Sequence, residues 1–216
     1  MSTNTRIKIC GIRTPEMAEA AVEAGADMIG VVLVEGSPRY VTVAEARDVV
    51  KAVAGRIETV ALVKDREYEE VRDLAERIGV RAAQWYGSIG PDDVMAVAPL
   101  GVIKPLAFDA RTIAREIDGW DDVPGVRAIL IDTPSDLGGG SGQRFDWAAL
   151  HEAIGGIVRK RPIILAGGLT PENVADAVAT IQPWAVDVSS GVESSRGVKD
   201  VGLIKAFCDA VRECHE

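Results

Sequence analysis

The chain has 216 residues, is 47% hydrophobic and carries a formal net charge of -9, from 33 acidic and 24 basic residues. That length suggests one domain with a full-sized core, and the acidic balance argues against a nucleic-acid partner, whose binding rests on Lys and Arg neutralising phosphates. The longest apolar runs, such as Met28–Val34, fall well short of the roughly 20 residues a membrane helix needs. Met1–Lys8 lacks the apolar segment of a secretory signal, so a cytoplasmic protein with no membrane contact is expected. Cys10, Cys208 and Cys214 are too few, and odd in number, for a disulfide framework.

In chain order, Arg6–Cys10 reads as a short strand. Thr14–Ala24 reads as a helix with a capping threonine, Pro15 in its first turn and Gly25 as its stop. Met28–Val34 has the near-continuous apolar character of a strand buried on both faces. Thr42–Val53 is helical and opens on a Thr42–Glu45 capping box. The alternation then continues through strand Ile57–Val63, helix Glu67–Ile78, strand Arg81–Trp85 and helix Pro91–Ala98. Strand Val102–Pro105 and helix Asp109–Ile117 follow, then strand Arg127–Asp132 and a short helix near Trp147–Ala153. Strand Pro162–Ala166, helix Pro171–Thr180, strand Ala185–Ser189 and helix Lys199–Cys214 complete the series.

Alternating strands and helices imply a parallel sheet, either open and doubly wound or closed. Eight strict repeats with no extra antiparallel pair favour closure, so the expected fold is α/β, a single (β/α)8 TIM barrel over residues 1–216. About 250 residues is usual for that fold, which leaves little room for insertions.

Chemistry in such a barrel belongs at the C-terminal ends of the strands. Cys10 ends the first strand, Arg39 follows the second and Asp132 ends the sixth. Gly167-Gly168 follow the seventh and Ser190-Gly191 the eighth. Either glycine pair alone could be a tight turn. Together, after adjacent final strands, they predict a phosphate site built from backbone N–H groups. With the chain acidic overall, an anion site has to be assembled locally in this way.

The stretch from Asp132 to Phe145 is longer than the roughly two to six residues usual for such a connection. It contains Gly138-Gly139-Gly140-Ser141-Gly142 and reads as a lid whose glycines serve as hinge and donors. Asp132 is a candidate acid if burial raises its pKa, with a loop cap as the plainer reading. Cys10 is a candidate base if a positive environment lowers its pKa; on the residues alone, a buried filler is the simpler role. Asp187, acidic within an apolar strand, must be paired or hydrogen-bonded. Arg39 is either a solvated charge or a fork for a carboxylate.

Lys8-Ile9-Cys10-Gly11-Ile12, Ser37-Pro38-Arg39-Tyr40-Val41 and Asp132-Thr133 resemble motifs of the phosphoribosylanthranilate isomerase family of tryptophan biosynthesis. So do Gly139-Gly140-Ser141-Gly142 through Phe145-Asp146-Trp147, Leu165-Ala166-Gly167-Gly168-Leu169 through Val174, and Asp187-Val188-Ser189-Ser190-Gly191-Val192-Glu193 with Gly197 and Lys199-Asp200. The resemblance spans nearly the whole chain in the family's order. It implies an aldose–ketose isomerase performing an Amadori rearrangement without cofactor or metal, on a small phosphorylated substrate, as a monomer or homodimer. Carried over by motif, Asp132 protonates the ribose ring oxygen and Cys10 removes the C2′ proton. Arg39 holds the anthranilate carboxylate, while Gly140, Ser141, Gly167, Gly168, Asp187, Ser190 and Gly191 contact the substrate.

The chain departs from the family where Gln84-Trp85-Tyr86-Gly87 stands for the usual Gln-Leu-His-Gly, and at Ala61-Leu62-Val63-Lys64. A related barrel isomerase of histidine biosynthesis uses two aspartates, and Cys10 speaks against it. A divergent barrel acting on, or only binding, another phosphoribosyl ligand is the alternative.

Overall fold

A period of two runs through every barrel strand and sends one set of side chains inward and the other out against helices. The computed structural model describes residues 4–133, 145–155 and 159–215. The strands are β1 (Arg6–Cys10), β2 (Met28–Val32), β3 (Glu58–Lys64), β4 (Ala82–Tyr86), β5 (Gly101–Ala107), β6 (Val126–Asp132), β7 (Ile163–Leu165) and β8 (Ala185–Val188). They close into a parallel barrel in sequence order, with β1 hydrogen-bonded to both β2 and β8.

The outward set, including Ile7, Ile9, Ile29, Val31, Ile129 and Ile131, forms one core with the helices. The inward set fills the barrel. Met28, Val60, Ala82, Ile103, Leu130 and Ile164 form an apolar cluster, and Cys10, Val32 and Leu62 form another under Val34 and Tyr86.

Among the described residues, eight α-helices surround the barrel: α1 (Pro15–Glu23), α2 (Val43–Ala52), α3 (Tyr68–Ile78), α4 (Pro91–Ala96), α5 (Ile113–Asp121), α6 (Trp147–Ile154), α7 (Val174–Ile181) and α8 (Val201–Glu213). Thr14 caps α1, and the Thr42–Glu45 capping box opens α2 as expected. α3 buries Val71, Leu74, Ala75 and Ile78, the i, i+3, i+4, i+7 stripe of an amphipathic helix. Among the described residues, no helix is long and apolar enough to cross a membrane.

Three elements differ from expectation. α5 begins at Ile113 rather than Asp109, because the Asp109 carboxylate accepts from the backbone and guanidinium of Arg111 and holds a turn there. α7 begins at Val174 rather than Pro171. Asn173 ties that turn by accepting from Thr170 N and donating to Gly168 O. Between β8 and α8 the chain forms a 3-10 turn, Ser190–Val192, and a two-stranded hairpin, β9 (Glu193–Ser195) with β10 (Val198–Lys199).

Candidate active site

At the C-terminal ends of the strands lies a cavity of about 600 Å³. Its walls include Cys10, Arg39, Tyr86, Asp132, Gly167, Gly168, Asp187 and Ser190, from six of the eight strand ends. Gly140 and Ser141, expected to contact substrate, and the expected lid lie outside the described residues.

The floor is polar. Lys8, fully buried on the inward face of β1, donates to Asp187 Oδ1 and to Gln84 Oε1, each at 2.9 Å. Burial alone would lower the Lys8 pKa, but Asp187 and the neighbouring Cys10 thiol outweigh it and raise it, so Lys8 is an ammonium. The pairing satisfies the demand that a buried aspartate find a partner, and it makes Asp187 an internal counter-ion as well as a wall of the cavity. Lys8→Met leaves that carboxylate buried and unpaired. The expected result is a loss of roughly 3 kcal/mol in unfolding free energy, read from urea denaturation, whereas an unchanged midpoint would show that water reaches Asp187.

Cys10 sits two residues further along β1, facing the same interior. Gly30 on β2 makes room for it: a Cβ there would lie 2.9 Å from Cys10 Sγ and 3.4 Å from Lys8 Nζ. The condition attached to Cys10 as a base, a thiol pKa lowered by positive surroundings, is not met in the free protein. Burial pushes the Cys10 pKa up and Asp187 adds to this, while Lys8 and Lys199 only partly offset them. The positive environment exists, but desolvation of the thiolate outweighs it.

Asp132, at the end of β6, is also buried. Burial and the Asp187 charge raise its pKa to about 6, against opposing hydrogen bonds from Thr133 N and the Tyr86 hydroxyl. Thr133 N donates to Oδ1 at 2.7 Å and Tyr86 Oη to Oδ2 at 3.5 Å. Burial therefore raises this carboxyl, the condition an acid at this position needs. Gly167 (φ +88°) belongs to the same arrangement, since any Cβ there would collide with Thr133. It serves a tight turn and a close backbone approach together.

Gly168 and Ser190 line the same wall, Ser190 opening the 3-10 turn after β8. Gly191 is not part of the lining. It packs against the Leu169 carbonyl so closely that a Cβ would overlap it, which holds the two final loops together.

Arg39 does form a bidentate fork, but onto a carboxylate of this chain. Its Nε and Nη2 donate to Glu193 Oε1 and Oε2 at 2.7 and 3.0 Å. Burial would raise the Glu193 pKa, yet hydrogen bonds from Arg39 and Lys199 hold it at about 2. Lys199 Nζ reaches Glu193 Oε1 and Ser189 O, both at 2.8 Å. The pairing leaves Arg39 on the cavity wall, with Nη1 outside the fork.

Sequence reasoning assigned no role to Lys8, Gln84, Glu193 or Lys199. Lys8 carried a readable signal: a lysine between isoleucines in a buried strand, in phase with Cys10. Glu193 did not, because its arginine lies 154 positions away.

A profile described as N-(5'phosphoribosyl)anthranilate (PRA) isomerase matches residues 7–210. The N-(5'-phosphoribosyl)anthranilate isomerase of Pseudomonas fluorescens is 41% identical over 96% of this chain and 98% of its own length. That of Haloferax volcanii is 40% identical, over 96% and 93%. Among solved structures, phosphoribosyl anthranilate isomerase from Thermotoga maritima superposes with a TM-score of 0.87 at 34% identity, covering 97% of this chain and 99% of that one. Another, solved in complex with reduced 1-(o-carboxyphenylamino)-1-deoxyribulose 5-phosphate, reaches 0.84 at 32% identity, with the same coverage. With this barrel, and with Cys10 and Asp132 facing one cavity at its mouth, the chain belongs to the N-(5'-phosphoribosyl)anthranilate isomerase family.

Proposed function

We propose that Asp132 is the general acid and Cys10 the general base of an Amadori rearrangement carried out in this cavity. Asp132 gives its proton to the ribose ring oxygen as the C1′–O bond breaks, and an imine results. Cys10, as thiolate, takes the proton from C2′. The resulting enolamine becomes the ketose when C1′ gains a proton and the 2′-hydroxyl loses one. One observation carries this reading: a buried carboxyl with a pKa of about 6 and a thiol beside a buried ammonium share one cavity. Gly167, Gly168 and Ser190 offer the phosphate their backbone, and Gly191 holds the loop that presents Ser190. The small phosphorylated ligand places its carboxylate toward Arg39, which meets it through Nη1 while Glu193 keeps the rest of the fork. Asp187 acts from below, by fixing Lys8.

The order of proton affinities sets the pH dependence. Asp132 titrates at about 6 and Cys10 above the ordinary thiol range. Between those values the pair holds one proton, mostly on sulfur, and the productive form, carboxyl with thiolate, is the minor one. At lower pH both groups are protonated and there is no base; at higher pH both are ionised and there is no acid. Turnover of freshly generated phosphoribosylanthranilate, followed by loss of its fluorescence, tests this. The expected kcat/KM rises through about pH 6 and falls only on the alkaline side. A profile that falls through pH 6 would show that Cys10 ionises first, and absence of turnover would sink the assignment.

A further inference from the structure

The donors and acceptors on the cavity floor admit one direction only. Lys8 has protons and no acceptor, so the Gln84 atom facing it at 2.9 Å is the carbonyl Oε1. That fixes the amide, and Nε2 donates to Tyr86 Oη at 2.8 Å. The phenol oxygen is thereby an acceptor toward Gln84, and its single proton is left for Asp132 Oδ2 at 3.5 Å. Burial and the Asp132 charge push the Tyr86 pKa well above its usual value, so that proton stays on the phenol. Gln84 and Tyr86 stand two apart on β4, both facing inward, with Lys8 on β1 and Asp132 on β6. The strand period alone therefore builds the chain of contacts.

We propose that Lys8, Gln84 and Tyr86 form a one-way hydrogen-bond relay that aims the Tyr86 proton at Asp132 Oδ2, making Tyr86 a positioning residue for the general acid. The inference rests on the reading of Asp132 as that acid. The relay has a definite use. When Asp132 gives up its proton a carboxylate is left in a buried site, already facing the negative Asp187. A donor pointed at Oδ2 stabilises that anion, and Thr133 N serves Oδ1 in the same way. Tyrosine suits the position because it donates without gaining charge. The titratable groups around Asp132 are Asp187 on β8, Lys8 and Cys10 on β1 and Tyr86 on β4; Lys64 and Arg39 line the same cavity further out. Of these, Tyr86 donates a hydrogen bond to Asp132 Oδ2.

The test is a carboxyl carbon NMR titration of Asp132, assigned by its loss in Asp132→Asn, in the wild type, Tyr86→Phe and Gln84→Met proteins. The wild type is expected to titrate at about 6. Tyr86→Phe, which removes one oxygen, is expected to titrate roughly half a pH unit higher. Gln84→Met, which frees the phenol to rotate, shifts in the same direction by no more than that. An unchanged or lower Asp132 titration in Tyr86→Phe overturns the relay. A shift in Tyr86→Phe with none in Gln84→Met overturns the ordering role of Lys8 and Gln84. The kcat/KM profile separates this from the reading beneath it. If the NMR titration moves and the acid limb moves with it, both stand; if the limb stays where it was, the relay stands and Asp132 is not the acid.

Discussion

Asp132→Asn is expected to lower kcat by roughly 10²–10⁴, or about 3–5 kcal/mol in barrier, with affinity for a product analogue unchanged within about twofold. The substitution keeps the shape of the side chain and an oxygen that can accept from Thr133 N, so the loop behind β6 keeps its anchor. In the proposed reaction it removes the proton that Asp132 delivers to the ring oxygen. Neither neighbouring described group replaces it: Asp187 is tied to Lys8, and Tyr86 holds its proton too tightly. Single-turnover fluorescence decay, beside equilibrium binding of the analogue, separates chemistry from binding. Near-normal turnover would move the acid elsewhere.

Cys10→Ala is expected to be as damaging, roughly 10²–10⁴ in kcat, for the opposite half of the reaction. Cys10 is the one cysteine among the described residues lining the cavity, and burial opposes its ionisation, so the proposed base is a minority thiolate. Cys10→Ser sharpens the result. A hydroxyl fits beside Gly30 but ionises far less readily than a thiol, so the serine variant should fall with the alanine one. Recovery of more than about a tenth of the wild-type rate with serine would mean that the residue orients substrate and that the proton leaves by another route.

The fold was legible because its signals are local. Eight apolar strand runs, each followed by a helix, survive in the structure, with most bounds shifted by no more than a residue or two, and the Thr42–Glu45 box lies where its spacing placed it. The shifts at α5 and α7 arose where a polar side chain, Asp109 or Asn173, took the first turn for itself. The hairpin Glu193–Lys199 escaped notice because three- and two-residue polar strands show no periodicity. The site divides in the same way. Strand ends and glycine pairs marked where the groups sit, and Cys10, Asp132, Asp187 and Arg39 do meet at one mouth. What each group does there depends on partners far along the chain: Lys8 on Gln84 and Asp187, 76 and 179 positions away, and Arg39 on Glu193. The direction of the Cys10 shift stayed open in the sequence because a net of burial against charge cannot be read from neighbours in the chain.

The Lys8–Asp187 pair also lies on the seam where the barrel closes. β1 and β8 are the most distant strands in sequence, and their pairing costs the most chain entropy of any in the sheet. Apolar strands tolerate sliding, since one isoleucine replaces another at little cost. Here the correct alignment sets Lys8 against Asp187, and a slip of two residues would set it against Ala185 and leave an ammonium stranded among hydrocarbon. The ion pair under the active site thus acts as a ruler for the closing seam, so that the alignment which completes the barrel is also the one that assembles the floor beneath Cys10.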